Sequence, residues 1–309
     1  MEATLKNELK KICSKVHFHE PMKKHTSFRT GGDAEAFIRP ENNEEFSKLV
    51  NFLNSKSIPT LVIGDGTNLL VKDSGIDGVV IATKELNEKK ITKSEGDFTY
   101  ISVGAGTNTQ SVCTFAIENS LKGMNFATGI PGTIGGATWM NAGTAKGSME
   151  DVIHTVSFLT LEGDFIELKK EELKFLYRKL ILDHLYKTYK NLIITGLTLK
   201  LTTGDKENLK SEFKELLKKR KESQPLSYPS AGSFFKNPGE KPAGMLIDQC
   251  DLKGLKIGGA MVSEKHANFI VNRSNATTED ILKLASIIKE KVFNRFQIKL
   301  EEEVQIVGS

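Results

Sequence analysis

Ser233 stands in an unusual setting, Ser230-Ala-Gly-Ser-Phe-Phe-Lys-Asn-Pro238, where glycine and two aromatics flank a hydroxyl and Lys236 and Asn237 follow. Such a stretch reads as a rigid polar loop over an apolar floor. It lacks the Gly-x-Ser-x-Gly turn of a hydrolase elbow, and none of the six histidines is spaced to act as its base. A serine without a base is a poor nucleophile, yet it can hand over a proton where neighbouring donors stabilise its alkoxide. On the residues alone, catalytic and structural readings of Ser233 both stand. Arg178, in Phe175-Leu-Tyr-Arg178, is the one arginine between Arg39 and Arg220. Its planar fork can hold a carboxylate through two hydrogen bonds, as lysine cannot; the competing reading pairs it with Glu171 or Glu172. Glu303 ends a run of three glutamates before the terminal strand, as a site carboxylate or as part of a solvated edge.

Two glycine-rich stretches offer a different chemistry. The run Gly129-Ile-Pro-Gly-Thr-Ile-Gly-Gly136, continuing Ala137-Thr-Trp-Met-Asn-Ala-Gly143, holds five glycines in fifteen residues. That density is poor material for a helix or a central strand, and implies that the backbone itself approaches a partner closely. Tight glycine turns expose N–H groups that form a concave anion site suited to a pyrophosphate. The theme recurs in Ile63-Gly-Asp-Gly-Thr-Asn-Leu-Leu-Val71, which follows the strand-like Thr60-Leu-Val-Ile63. Neither loop fits the dinucleotide fingerprint or ends in the Lys-Ser/Thr of a P-loop. Gly104-Ala-Gly106 follows another strand-like segment, but Asn108, Thr109 and Gln110 supply no third glycine, so it reads as a strand end before a helix start.

The elements that must position these residues are those of an ordinary globular protein of 309 residues with a net charge of +4. That length accommodates two domains with cores of their own. No apolar run approaches the ~20 residues that span a bilayer, and the charged N-terminus lacks the apolar core of a signal peptide. The three cysteines are scattered outside any metal-ligand spacing, so free thiols, no metal and a cytoplasmic location are expected. The basic run Lys218-Lys-Arg-Lys221 falls at the end of a helix expected over 208–223, where cations favour the macrodipole. Nucleic-acid binding would need a broader basic face.

Along the chain, helices are expected over 3–16, after which 17–21 breaks the pattern, and over a stretch opened by Asn42 and Glu45 as a capping box. Phe46, Leu49, Val50 and Leu53 give that second helix its apolar face. Residues 100–103 read as a strand, 109–119 as a helix, 152–168 as a hairpin about Glu162-Gly-Asp164, and 192–201 as another strand. Composition shifts near Thr202-Thr-Gly-Asp205, dividing a region 1–202 from a region 203–309. In the latter, 269–272 is a strand, Thr277 and Asp280 cap a helix with a stripe of Ile281, Leu284, Ile288 and Val292, and 304–307 is a last strand.

With these segments in order, the chain resembles the UDP-N-acetylenolpyruvoylglucosamine reductase family over residues 25–307. The resemblance rests on Thr26-Ser-Phe-Arg-Thr-Gly-Gly32, Gly64-Asp-Gly-Thr-Asn-Leu-Leu-Val71, Gly129-Ile-Pro-Gly-Thr-Ile-Gly-Gly-Ala137, Tyr177-Arg178, Ala231-Gly-Ser-Phe-Phe-Lys-Asn-Pro238, Val262-Ser-Glu-Lys-His-Ala-Asn-Phe-Ile-Val-Asn272 and Glu303-Val304. It implies an α+β fold: a p-cresol methylhydroxylase/vanillyl-alcohol-oxidase-type FAD-binding domain over 1–202, then a smaller α+β substrate domain over 203–309 whose terminal strand returns Glu303 to the flavin site. Ile63, Gly64, Asp65, Gly66, Thr67, Asn68 and Leu69 would form one side of the FAD cradle. Gly129, Ile130, Pro131, Gly132, Thr133, Gly135, Gly136, Ala137, Asn141 and Gly143 would form the other. Neither loop has a histidine or cysteine for a covalent link, so FAD is expected to be non-covalent.

The same resemblance implies NADPH as hydride donor and a sugar-nucleotide substrate whose enolpyruvyl group takes hydride at C3. Arg178 would hold its carboxylate, Glu303 would polarise the same end, and Ser233 would protonate C2. Lys236, Asn237, Lys265 and His266 would contact the substrate, and a monomer is expected. The short path from Arg178 to the strand at 192 resembles the compact branch, without the extra substrate-covering loop. Lys179-Leu180 and Gln305 depart from the usual pattern. Two other readings use fewer of these motifs: a different oxidase or dehydrogenase on the same flavin scaffold, and a non-catalytic flavin module.

Overall fold

The structure, a computed structural model, describes residues 1–185 and 191–309. Compactness divides the chain into two interleaved units. One comprises Met1–His17, Ala36–Asp65 and Gly78–Lys218; the other comprises Phe18–Glu35, Gly66–Asp77 and Lys219–Ser309.

The first unit is built on a six-stranded antiparallel sheet. Its main path runs Phe165–Lys169, Ile153–Leu159, Ile193–Thr203, Phe98–Gly104, Lys89–Glu95, with Leu121–Lys122 paired to the end of the long central strand. Alternation explains the pattern: Ile101 and Val103, and Leu197, Leu199 and Leu201, turn successive side chains to one face and are buried. Helix Thr109–Glu118 covers that core with Val112, Cys113 and Ala116. Helix Asn43–Ser55 starts at Asn42, whose side chain accepts from the Glu45 amide at 2.9 Å. The capping box is only half formed, because the Glu45 carboxylate receives the Glu41 amide instead. Phe46, Leu49, Val50 and Leu53 are buried along it, as the periodicity requires. Strand Thr60–Ile63 pairs in parallel with Val79–Ala82 and delivers the chain into the first glycine stretch.

The second unit carries a three-stranded antiparallel sheet of Lys256–Ile257, Ala260–Val262 and Ile270–Asn272, and the helices Ala243–Gln249 and Thr278–Phe296. Thr277 and Asp280 form a complete capping box on the long helix. The Asp73 carboxylate also accepts from the Thr278 and Glu279 amides at 3.0 and 3.1 Å, placing negative charge at the positive end of the dipole. Ile281, Leu284, Ile288 and Val292 are buried with Phe28, Leu70, Phe234 and Phe235 in one core. The terminal strand Gln305–Val307 pairs in parallel with Leu69–Val71.

Two local expectations differ from the structure. The first helix, expected over 3–16, spans Ala3–Ile12, and the expected break at 17–21 belongs to a strand, Val16–Pro21. Cys13 is already extended there, and the alternation of Val16 and Phe18 with two histidines suits a half-buried edge. The glycine run also contains a short helix, Ile134–Trp139. Its Gly135 lies so close to Ala105 that an added Cβ would come within 2.8 Å of the alanine Cβ, so the glycine serves close packing of helix on strand end.

Candidate active site

In the first unit the second glycine stretch is shaped almost wholly by backbone. Gly129 and Gly132 are left-handed, at φ 75° and 105°, which glycine adopts without steric cost. Residues 132–135 are buried, while Pro131 and Gly136 form an exposed rim. Thr133 begins the short helix and accepts from the Gly136 amide. From the other stretch, Ile63 is buried at its strand end and Gly64 faces Thr133, whose Oγ1 occupies the place a Cβ would need. The Gly64 backbone therefore packs directly against the Thr133 side chain, with no room for a side chain of its own. Asp65 pairs with Lys84 at 3.1 Å. Ala137 is buried, and Gly143 opens a tiny hairpin against Ser148.

The segment read as a plain strand end is the support for this cradle. The Gln110 side chain donates to the Ala127 and Ile130 carbonyls, both at 2.9 Å, and accepts from the Gly129 amide at 2.7 Å. Thr109 places its amide and hydroxyl on the Gly132 carbonyl, Asn108 bridges to Thr133, and Ala105 and Thr107 receive the Gly135 and Ile134 amides. The sequence signal was polar residues directly after a strand that ends in Gly-Ala-Gly; their partners lie some twenty residues on.

Arg178 lies at the tip of a two-residue hairpin turn. Strands Lys174–Leu176 and Lys179–Ile181 pair in register, leaving Tyr177 and Arg178 as the turn. Arg178 is left-handed, at φ 59°, a conformation that glycine and asparagine adopt far more readily. Its guanidinium lies over the Tyr177 ring, 5.0 Å from the centroid. Lys179 and Leu180, the departure from the usual pattern, form the return strand, with Leu180 in the core.

In the second unit the serine loop and the glutamate are brought together by backbone. The Glu303 amide donates to the Phe234 carbonyl at 2.8 Å, Phe235 bridges Glu302, and the Lys236 amide donates to the Glu301 carbonyl at 2.9 Å. Residues 234–236 and 301–303 thus form a short ladder with Glu303 opposite Phe234, and Ser233 lies just beyond its end, both Ser233 and Glu303 being half-buried. Asn68 joins them: its side chain donates to the Glu303 carbonyl at 3.0 Å, and its own carbonyl accepts the Gln305 amide. Gly66 is left-handed at φ 61° against the His25 carbonyl, Thr67 follows it, and Leu69 pairs with Gln305. The Thr26–Gly32 motif folds over the same segment, with the Ser27 amide on the Gly66 carbonyl.

Lys236 pairs with Glu301 at 3.3 Å, and the Asn237 side chain caps helix Ala243–Gln249 through the Ala243 amide. Lys265 is exposed and donates to the Lys221 carbonyl. His266 is half-buried against Phe269, and burial holds its pKa below the ordinary value. Its Nδ1 accepts the Asn268 amide, which leaves the proton of the neutral ring on Nε2. Asn268 itself had no assigned part. Buried, it grips the Phe235 backbone at both ends, at 3.0 and 2.8 Å, and fixes the serine loop from below.

Thiol chemistry is unfavourable at neutral pH, since burial pushes Cys13 and Cys113 up to about 12. Among the described residues no group of three or more His, Cys, Asp or Glu could hold a metal, and no helix is long and apolar enough to cross a membrane. Tight glycine turns with left-handed Gly129 and Gly132 suit a dinucleotide's phosphates. That is the construction of a nucleotide-cofactor oxidoreductase of the flavoprotein class, with a second compact unit that has a core of its own.

Comparison with known proteins gives the particular family. The FAD binding domain family matches residues 34–169, and the C-terminal domain family of UDP-N-acetylenolpyruvoylglucosamine reductase matches residues 224–307. The reductase of Desulfosudis oleivorans is 43% identical over 95% of each chain, and that of Caldanaerobacter subterraneus 41% identical over 100% of this chain and 99% of its own. The crystal structure of the Thermus caldophilus reductase superposes with a TM-score of 0.78 at 34% identity, covering 94% of this chain and 98% of that one. The chain belongs to the UDP-N-acetylenolpyruvoylglucosamine reductase family, an FAD-containing oxidoreductase family with an α+β fold.

Proposed function

We infer that the chain reduces the enolpyruvyl group of UDP-N-acetylenolpyruvoylglucosamine, giving UDP-N-acetylmuramate for peptidoglycan synthesis, with NADPH as electron source and FAD as relay. The observation that carries the reading is the ladder that ties residues 234–236, directly after Ser233, to residues 301–303 beside Asn68. When bound, FAD supplies a two-electron path from NADPH to C3 of the enolpyruvyl group. Residues 63–69, 129–133, 135–137, 141 and 143 are the proposed cradle, and the left-handed Gly129 and Gly132 support a ligand that meets backbone rather than side chains. No histidine or cysteine in those stretches offers a covalent link, so the cofactor is held non-covalently.

As hydride reaches C3, negative charge spreads over C2 and its carboxylate. Arg178 holds that carboxylate and Glu303 orients the same end, stabilising charge where it develops. Ser233 gives its proton to C2, which is basic enough at that moment to take it. Lys236, Asn237, Lys265 and His266 contact the sugar nucleotide. The protein works as a cytoplasmic monomer, without nucleic-acid or membrane partners.

Replacing Ser233 tests the assignment. Ser233→Ala is expected to leave flavin bleaching by NADPH nearly unchanged and to slow flavin reoxidation by the enolpyruvyl substrate by roughly 10²- to 10⁴-fold, the range for a general acid. Equal loss in both half-reactions would overturn the proton-donor role.

A further inference from the structure

Asn141 lies just beyond the short helix that begins in the glycine loop, and every polar atom of its side chain is engaged. Its Nδ2 donates to the Glu150 carboxylate at 2.9 Å and to the Leu176 carbonyl at 3.1 Å, while its Oδ1 accepts the Glu150 amide at 3.1 Å. The amide's orientation follows from these partners: a backbone N–H can only donate, and a carboxylate and a carbonyl can only accept. Asn141 is 6% exposed and left-handed at φ 39°, which asparagine tolerates better than other side chains.

The Leu176 carbonyl is the last backbone acceptor before the turn. Leu176 pairs with Lys179, and Tyr177 and Arg178 lie between them. A hairpin this short, with three residues in each strand, has little stability of its own. Its tip also holds a non-glycine residue in the left-handed region. Something outside the hairpin must therefore fix where the tip points. Glu150 belongs to the turn Met149–Asp151, which is closed by its own capping box at Ser148. Thr133 to Asn141 is thus one rigid path: loop, one and a half turns of helix, then a side chain on the base of the arginine turn.

We propose that Asn141, oriented by Glu150, is the positioning residue for Arg178, setting the arginine turn in register with the glycine loop of the same unit. The proposal rests on Arg178 as the carboxylate holder. It assigns the Asn141 side chain to the hairpin, which leaves only its backbone for the cradle that the family resemblance implies.

The test is a double-mutant cycle on FAD-loaded enzyme, with loading checked by the ratio of flavin to protein absorbance. Two quantities are read: calorimetric affinity for UDP-N-acetylmuramate, which carries the carboxylate, and the rate of flavin reoxidation by the enolpyruvyl substrate. Asn141→Ala is expected to weaken both by about 10-fold or more, as for loss of a buried hydrogen-bonded network. In the Arg178→Ala background the same change is expected to add less than about 2-fold, because coupled residues are not additive. Equal Asn141→Ala effects in the two backgrounds would overturn the proposal, as would a normal Asn141→Ala enzyme beside a crippled Arg178→Ala. Normal affinity and rate in Arg178→Ala itself would instead remove the arginine's role.

Asn141→Asp combined with Glu150→Gln guards against simple misfolding. This pair can keep the reciprocal link to residue 150 but cannot donate to Leu176. Wild-type behaviour of that pair would also contradict the proposal.

Discussion

Arg178 shows most plainly that a residue can be placed against local preference. A two-residue turn favours glycine or asparagine at its left-handed position, and an arginine there stores strain of about 1–3 kcal/mol. Arg178→Gly should therefore leave the melting temperature equal to or above that of the parent while removing affinity for UDP-N-acetylmuramate. A large fall in melting temperature would mean that the arginine is there for structure. His266 gives a second prediction at this scale. Burial depresses its pKa, so as pH falls the unfolded chain takes up the proton first. Its share of stability is complete above the ordinary value of about 6.5 and is lost as pH falls through the lower folded value. Urea unfolding of the parent should thus weaken more between pH ~7.5 and pH ~5.5 than unfolding of His266→Asn. Parallel pH profiles would contradict the burial of a neutral ring.

At the scale of elements, the glycine loop is only as good as the helix start beneath it. Gln110→Leu would leave the Gly129 amide and the Ala127 and Ile130 carbonyls without their side-chain partner. The Ala127 carbonyl keeps the Ile130 amide, but the part-buried Gly129 amide and Ile130 carbonyl lose this partner, at up to about 1–3 kcal/mol each. We expect FAD affinity, followed by flavin fluorescence on titration, to fall by about 10-fold or more. Unchanged affinity would mean that the loop holds its shape alone. The helices with clear apolar stripes and caps, at Asn42 and Thr277, were legible from sequence because their signals are local. The bracing by Gln110, Asn141 and Asn268 was not. Each acts on backbone nine to thirty-five residues away, and nothing in a polar side chain's neighbours says where its partner lies. The helix Ile134–Trp139 was hidden for a related reason: its Gly135 meets a packing demand from Ala105 that propensity does not encode.

For the whole molecule, the two compact units are stitched from alternating segments of the chain, so chain order alone does not show which residues become neighbours. Glu303 illustrates this. It lies 235 residues from Asn68, yet the parallel pairing of Gln305–Val307 with Leu69–Val71 makes them hydrogen-bond partners. Motif order along the chain carried the family, whereas the bracing of the site required the fold. The central claim is that electrons pass from NADPH through a bound flavin to the enolpyruvyl sugar nucleotide. Its most direct test is anaerobic stopped-flow absorbance at the flavin band near ~450 nm. The purified protein is first reduced with NADPH and then mixed with UDP-N-acetylenolpyruvoylglucosamine. The account predicts bleaching in the first step, then rapid return of the band with stoichiometric UDP-N-acetylmuramate. Bleaching that this substrate does not reverse would contradict it.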